Sequence, residues 1–241
     1  ALVALKRTMA TDNFMDGLRG ALAGTGMAPE RYVRAALAGL DSAEYLLESA
    51  GPASIAACVV QAAASGLELH PAHQHAAIVP RKGQARLQVM YKGKIALAMR
   101  SPKIRAITTG EIREQDEVTW IQGTDERLEV RPKIGSRGEP VAWYVVTHWD
   151  GGIQSVTLME RAEIERIRDE RSDSWRRKPQ TSPWRTDFSA MAMKTVVNRA
   201  AKLWDLQLPE GAVLEGDGSA PEVRDVTPVE DAEVMEPRPR A

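Results

Sequence analysis

The apolar residues change period near residue 66, and that change decides what the chain can fold into. Before it the spacing is helical: Phe14, Leu18 and Leu22 follow Thr11-Asp12, and Tyr32-Val33 and Ala36-Leu37 follow Pro29. An alanine-rich helix across Ile55 to Ala64 is bracketed by Pro52 and Gly66, a helix start and a helix stop. Asp41 and Glu44 have the form of a capping box ahead of a short buried turn, Tyr45-Leu46-Leu47. After residue 66 the pattern turns to strands. Ala76 to Val79 and Leu87, Val89 and Tyr91 flank Arg81-Lys82-Gly83-Gln84, which predicts a β-hairpin with a glycine-containing turn. Lys94 to Arg100 reads as a short helix ended by Ser101-Pro102, because a residue before proline is driven out of the helical region. Strands follow over residues 104–112, 118–121, 128–130, 141–148 and 153–158, the last two joined by the tight turn Asp150-Gly151-Gly152. Helical spacing returns over 160–171. A polar, tryptophan-containing loop leads to Ser182-Pro183, which starts a final long helix from Trp184 to Leu203. The sum is an α+β fold, a central antiparallel sheet with N-terminal helices and a long C-terminal helix, in one domain over residues 1–208.

Charge is distributed as unevenly as period. From residue 69 to residue 110 there is no Asp or Glu, while Arg81, Lys82, Arg86, Lys92, Lys94, Arg100, Lys103 and Arg105 all fall inside. Lys and Arg neutralise phosphates with release of condensed counterions, so an acid-free basic block points to nucleic acid. A second basic stretch, Arg168 to Lys202, sets nine Lys and Arg against four acids and carries Trp175 and Trp184. Trp175, beside Arg176, Arg177 and Lys178, suits base stacking as well as packing. Trp184 at a helix start reads as core, and Trp120, Trp143 and Trp149 read as core or cross-strand residues. Lys194, Asn198 and Lys202 recur every fourth residue and share one helix face. Residues 209–241 hold nine acids against three arginines, five prolines and no aromatic residue, the composition of a disordered acidic tail. The net charge of -1 therefore hides a basic body.

Catalytic chemistry finds little support. His70, His73 and His75 are a tight group of metal-ligand types, but no Cys pair or HExxH helix accompanies them, and the loop setting favours a surface or hydrogen-bonding role. Gly93-Lys94 does not make a phosphate loop, because Gln88 stands where the earlier glycine belongs and Ile95 replaces the Mg²⁺-holding Ser or Thr. Cys58 is the single cysteine and sits in an apolar helix, the setting of a buried small hydrophobe in a reducing compartment. No apolar run approaches the roughly 20 residues that span a bilayer, and the apolar run at residues 1–5 is too short for a signal sequence. A cytoplasmic protein with no membrane partner is expected.

Two ordered blocks carry a resemblance. Gly66-Leu67-Glu68-Leu69, Ala76-Ala77-Ile78-Val79-Pro80, Leu87-Gln88-Val89-Met90-Tyr91-Lys92-Gly93 and Leu97-Ala98-Met99-Arg100-Ser101 form the first. Pro183-Trp184, Met191-Ala192-Met193-Lys194-Thr195-Val196-Val197, Arg199 and Lys202 form the second. With Glu111 to Asp116, the 150–152 turn and Glu163-Ile164 to Arg168 between them, residues 10–208 resemble the RecT family of phage single-strand annealing proteins. The resemblance implies a strand-annealing fold and no enzymatic activity. It implies binding of single-stranded DNA and of the annealed duplex intermediate, without ATP and with Mg²⁺ only as an optional ion. Self-assembly into rings or helical filaments is implied in a bacterial host cell, with a phage exonuclease and the host single-strand binding protein as partners. The candidate DNA ligands are Lys92, Lys94, Arg100, Lys103 and Arg105 in the first block. In the second they are Trp175, Arg176, Arg177, Lys194, Asn198, Arg199 and Lys202. Pro102 and Asn198 depart from the family pattern, which commonly has glycine and a basic residue there. A non-annealing single-strand binder and a metal-dependent nuclease are the alternative classes.

Overall fold

Pro29 and Pro52 each open a helix at the position where a missing N–H costs nothing. In the computed structural model, which describes residues 2–40 and 44–214, these are two of five helices that start the chain. They are α1 (Leu2–Met9), α2 (Asp12–Ala21), α3 (Pro29–Leu40), α4 (Glu44–Ser49) and α5 (Pro52–Ala64). Thr11 caps α2 by accepting a hydrogen bond from the Phe14 N–H. The capping box expected at Asp41 and Glu44 falls outside the described residues, apart from the helical backbone of Glu44.

The α5 helix buries Ile55, Cys58, Val59 and Ala62 against a hairpin of β1 (Ala76–Arg81) and β2 (Gln84–Val89). The hairpin turn places Lys82 at φ 47° and Gly83 at φ 77°, the left-handed pair that a two-residue turn between twisted strands requires. Leu5, Leu18, Tyr32, Leu67, Leu87 and Leu97 complete this first core. Burial pushes the Cys58 thiol up to about 11, so it stays a neutral packing group.

The next helix, α6 (Tyr91–Ala98), joins the first core to a second. Leu97 belongs to the first cluster and Ala98 to the second, with Tyr91 and Ile95 packed on the second. Gly93 permits this placement: a Cβ there would lie 2.0 Å from the His75 carbonyl oxygen. The second core is built on β3 (Ile104–Arg113), β6 (Pro140–Trp149) and β7 (Gln154–Glu160), antiparallel in the order β3-β6-β7. Between β3 and β6 the chain makes a separate two-stranded hairpin, β4 (Glu117–Ile121) and β5 (Arg127–Arg131). The helices α7 (Arg161–Arg171), α8 (Asp173–Arg177), α9 (Pro183–Thr186) and α10 (Phe188–Ala200) follow. Trp143, Met159, Ile164, Trp184, Val196 and Trp204 are buried together here, and Leu206 touches both cores.

The α+β expectation holds, and three of its details are corrected. The strands do not form one central sheet: they divide into β1 and β2 with a two-residue strand near the C-terminal end of the described chain, β3-β6-β7 and β4-β5. The long C-terminal helix is interrupted at Asp187, where φ is -150°, and the Asp187 side chain caps α10 by accepting from the Ala190 N–H at 3.0 Å. Residues 209–214, grouped by composition with the acidic tail, are ordered on the first core. There β8 (Val213–Leu214) lies parallel to β2, pairing Val213 with Gln88 and Leu214 with Val89. The rest of the expected tail, residues 215–241, lies outside the described residues.

Asp116 organises the end of the second sheet. Its side chain is fully enclosed, and Arg137 reaches its two carboxylate oxygens at 2.8 and 2.5 Å. The backbone N–H groups of Arg113 and Lys133 donate to it at 2.9 and 3.2 Å. The Arg137 guanidinium holds the carboxyl well below the usual carboxylate range, against the opposing pull of burial. A depressed carboxyl contributes stability that is complete above its unfolded value, about 3.9, and is lost as pH falls through the folded one. Urea unfolding of the wild type and Asp116→Asn should therefore differ most above about pH 4, with the difference narrowing toward pH 2. A difference that stays constant with pH would contradict this account of Asp116.

Candidate nucleic-acid interface

The two predicted ligand blocks meet, but their closest contact is internal. Lys94 is 3% exposed and Asn198 is 4% exposed, and the Lys94 ammonium donates to the Asn198 Oδ1 at 2.5 Å. The bond crosses from α6 to α10 and draws the two elements together. The face shared by Lys194, Asn198 and Lys202 is consequently not a solvent face: Lys194 is half-buried, Asn198 is interior, and Lys202 is exposed on a 3₁₀ turn beyond α10. Both side chains are enclosed in this conformation.

Arg100 is also committed to the fold. Its guanidinium donates to the carbonyls of Ser65 and Gly66, the latter at 2.7 Å, at the C-terminal end of α5 where helix carbonyls lack partners. Gly66, at φ 58°, makes room for it, since a Cβ there would collide with the guanidinium. The cation also sits favourably at the negative end of the α5 dipole. Arg105 pairs with the Asp150 carboxylate at 2.7 and 2.8 Å on the surface and holds it below the usual carboxylate range. Lys92 is exposed, with its ammonium 6.0 Å from the centre of the Tyr91 ring, and Lys103 is exposed just before β3.

In the second block Trp175 is partly buried at the edge of the second core, with the Arg168 guanidinium 4.3 Å from its ring centre. That cation–π stack gives one face of the indole a protein partner. On α8, Arg176 pairs with Asp173, and Arg177 is exposed. Arg199 is exposed and bonds Glu163 of α7 at 2.7 Å.

Two open grooves border residues 199–207, each bringing together two of the predicted cations. One, of about 390 Å³, includes Arg100 and Lys103 together with Ser65, Pro102, Asp205 and Gln207. The other, of about 440 Å³, includes Arg199 and Lys202 with Trp120, Glu126, Leu158 and Leu203. Trp204 anchors the segment between the grooves, its indole N–H donating to the Thr147 Oγ1 at 3.0 Å. Trp120 is a cross-strand residue, opposite Leu128, one of the two places its strand pattern allows. It is not a core residue: it lies on β4, all five of whose residues are exposed. The register puts Glu117, Glu129, Arg127 and Arg131 on one face of the hairpin and Val118, Trp120, Leu128 and Val130 on the other, an apolar face that stays open to solvent at Trp120.

The histidines are occupied otherwise. His73 Nε2 lies 3.1 Å from Glu68 Oε2, His70 Nδ1 accepts from the Ala72 N–H, and His75 Nδ1 accepts weakly from the Glu68 N–H at 3.4 Å. Burial holds His75 below its ordinary value. Among the described residues no three His, Cys, Asp or Glu side chains are grouped to hold a metal ion, and no helix is long and apolar enough to cross a membrane.

Fold and surface thus define a mixed α+β protein whose cations serve both its interior and two open grooves. The sequence profile of the RecT family matches residues 30–231, most of the chain, and the protein belongs to that family. The match extends past residue 208 into the acidic segment and begins after α1 and α2. Protein RecT of Escherichia coli (strain K12) is 29% identical over 184 residues, 73% of this chain and 66% of its own length. Uncharacterized protein YqaK of Bacillus subtilis (strain 168) is 25% identical over 207 residues, 85% of this chain and 70% of its own length. The chain thus spans roughly two thirds of the length of these relatives.

The different employments of the cations separate by measurement. Arg100→Ala should lower unfolding stability by about 0.5–1.5 kcal/mol, because the exposed carbonyls just past α5 exchange a charged donor for water. Lys202→Ala should stay within about 0.5 kcal/mol of wild type, as surface substitutions do. Equal stability losses in urea titrations of the two variants would contradict the assignment.

Proposed function

We propose that the protein binds single-stranded DNA and anneals complementary strands in recombination without ATP, as an oligomer presenting a basic surface. The observation that carries this reading is the family match over residues 30–231, and the similarity to Protein RecT supports it. Lys103 and Lys202, each on a groove beside residues 199–207, supply cations for the phosphate backbone, with Arg199 beside Lys202. Lys92 and Arg177 add exposed positive charge elsewhere.

The chemistry asks for no bond to be made or broken. Two strands repel through their phosphates, and cations on a shared surface reduce that repulsion while the bases remain available to pair. Assembly into rings or helical filaments would extend the surface along the strand, so self-association belongs to this reading. The acidic C-terminal segment is suited to contacting partner proteins, of which a phage exonuclease and a host single-strand binding protein are proposed, or to competing with DNA for the basic surface. A bacterial cytoplasm is the proposed setting.

Mixing complementary fluorescent oligonucleotides with the full chain, without nucleotide and with or without Mg²⁺, tests the reading. Accelerated annealing with both strands intact is the expected result. Protection without annealing would instead indicate a passive single-strand binder, and strand cleavage a nuclease. In anisotropy titrations over a salt series, Lys202→Ala should weaken binding and flatten the salt dependence by about 0.7 in the log–log slope. An unchanged slope would remove Lys202 from the phosphate contacts.

A further inference from the structure

All six tryptophans lie in the described chain, and five of them are spoken for. Trp143, Trp184 and Trp204 are buried, Trp149 donates its indole N–H to Ser155 Oγ at 2.9 Å, and Trp175 stacks under Arg168. Trp120 is 39% exposed. It stands opposite Leu128 in a hairpin of two strands only.

The groove beside it has a definite chemistry. Its lining combines the Trp120 indole, aliphatic Leu158 and Leu203, and the cations Arg199 and Lys202. Leu203 is 64% exposed. Glu126 accepts from the Val156 N–H at 2.8 Å, and Arg199 holds Glu163, a carboxylate that a phosphate would have to displace, so Lys202 is the rim's leading cation. An occupant must therefore bring a flat apolar face for the indole and a negative charge for the rim. An apolar peptide supplies only the first, and a free anion only the second. One nucleotide of a single strand supplies both. A duplex keeps its base faces inside the stack, so the indole selects unstacked DNA.

We propose that Trp120 is a stacking platform for an unpaired nucleobase of single-stranded DNA, with Lys202 and Arg199 receiving the adjoining phosphate. The inference rests on the single-strand binding proposed above and adds a base contact to it. Stacking engages the π face of a base and leaves its pairing edge open. A base held on Trp120 thus stays available to a complementary strand, which is what annealing needs.

The test compares a fluorescent thymidine oligonucleotide with an abasic one of equal length, using the full chain. Wild type should bind the thymidine strand more tightly. Trp120→Ala should weaken thymidine binding by roughly tenfold, within the range of base–aromatic stacking, and leave abasic binding unchanged. Trp120→Phe should restore most of the loss, which shows that the ring and not a damaged hairpin is responsible. Lys202→Ala should weaken both strands alike. Loss on both strands in Trp120→Ala, or on neither, overturns the stacking role. So does a smaller oligomer in sedimentation with base discrimination intact, which would make Trp120 a contact between copies of the chain. If wild type binds neither strand, the single-strand reading itself fails; if it binds both and Trp120→Ala discriminates like wild type, only the stacking role fails.

Discussion

The bond from the Lys94 ammonium to the Asn198 amide oxygen is the constraint on which the architecture turns. A buried ammonium is costly unless it is hydrogen-bonded, so wherever Lys94 is enclosed, an oxygen must be delivered to it. That requirement fixes α10 against α6. The neighbouring residues of α6 meet related demands. Gly93 lets the helix approach the His75 carbonyl, Leu97 enters the first core and Ala98 the second. Just beyond the helix, Arg100 fastens the end of α5. Eight residues of helix and the turn after them thus hold the N-terminal helical half to the second sheet.

This changes the meaning of the acid-free window. Its eight cations resemble a single binding face in one dimension, but the fold divides them. Lys94 is interior, Arg100 closes a helix, and Arg105 takes Asp150 from beyond the window as partner. Lys82, Arg86, Lys92 and Lys103 are exposed, as are Arg100 and Arg105 within their pairings. The second block divides in the same way between Asn198 inside and Lys202 outside. The surface proposed to meet DNA is therefore narrower than charge counting suggests, and it is centred on the segment from Arg199 to Gln207 that separates the two grooves.

How much of this was legible follows from the range of the interaction. Local signals read well: Pro52 and Gly66 bracket α5, Lys82-Gly83 turns the first hairpin, and Ser182 caps the short helix before α10. The Asp187 cap was available in the sequence too, as an Asp three residues ahead of Ala190, but Ser182-Pro183 offers an earlier helix start and obscured it. Strand pairing was not legible, because β3 finds β6 across an inserted hairpin and only tertiary packing selects that partner. The Lys94–Asn198 bond spans 104 residues, and no periodicity announces that a lysine four residues from a helix end will be enclosed. The exposure of Trp120 was hidden for the converse reason: strand alternation places it opposite Leu128 but does not show whether a second layer covers that face.

Lys94 and Asn198 join the two cores through one buried hydrogen bond. A double-mutant cycle on unfolding stability with Lys94→Met, Asn198→Leu and the double variant tests it most directly, with single-strand affinity measured on each folded protein. Each single variant should be destabilised, and the double variant should lose less than the sum, by a coupling of about 1–3 kcal/mol, with single-strand affinity retained. Additive small effects on stability, together with a large loss of DNA affinity in a stably folded Lys94→Met, would contradict it.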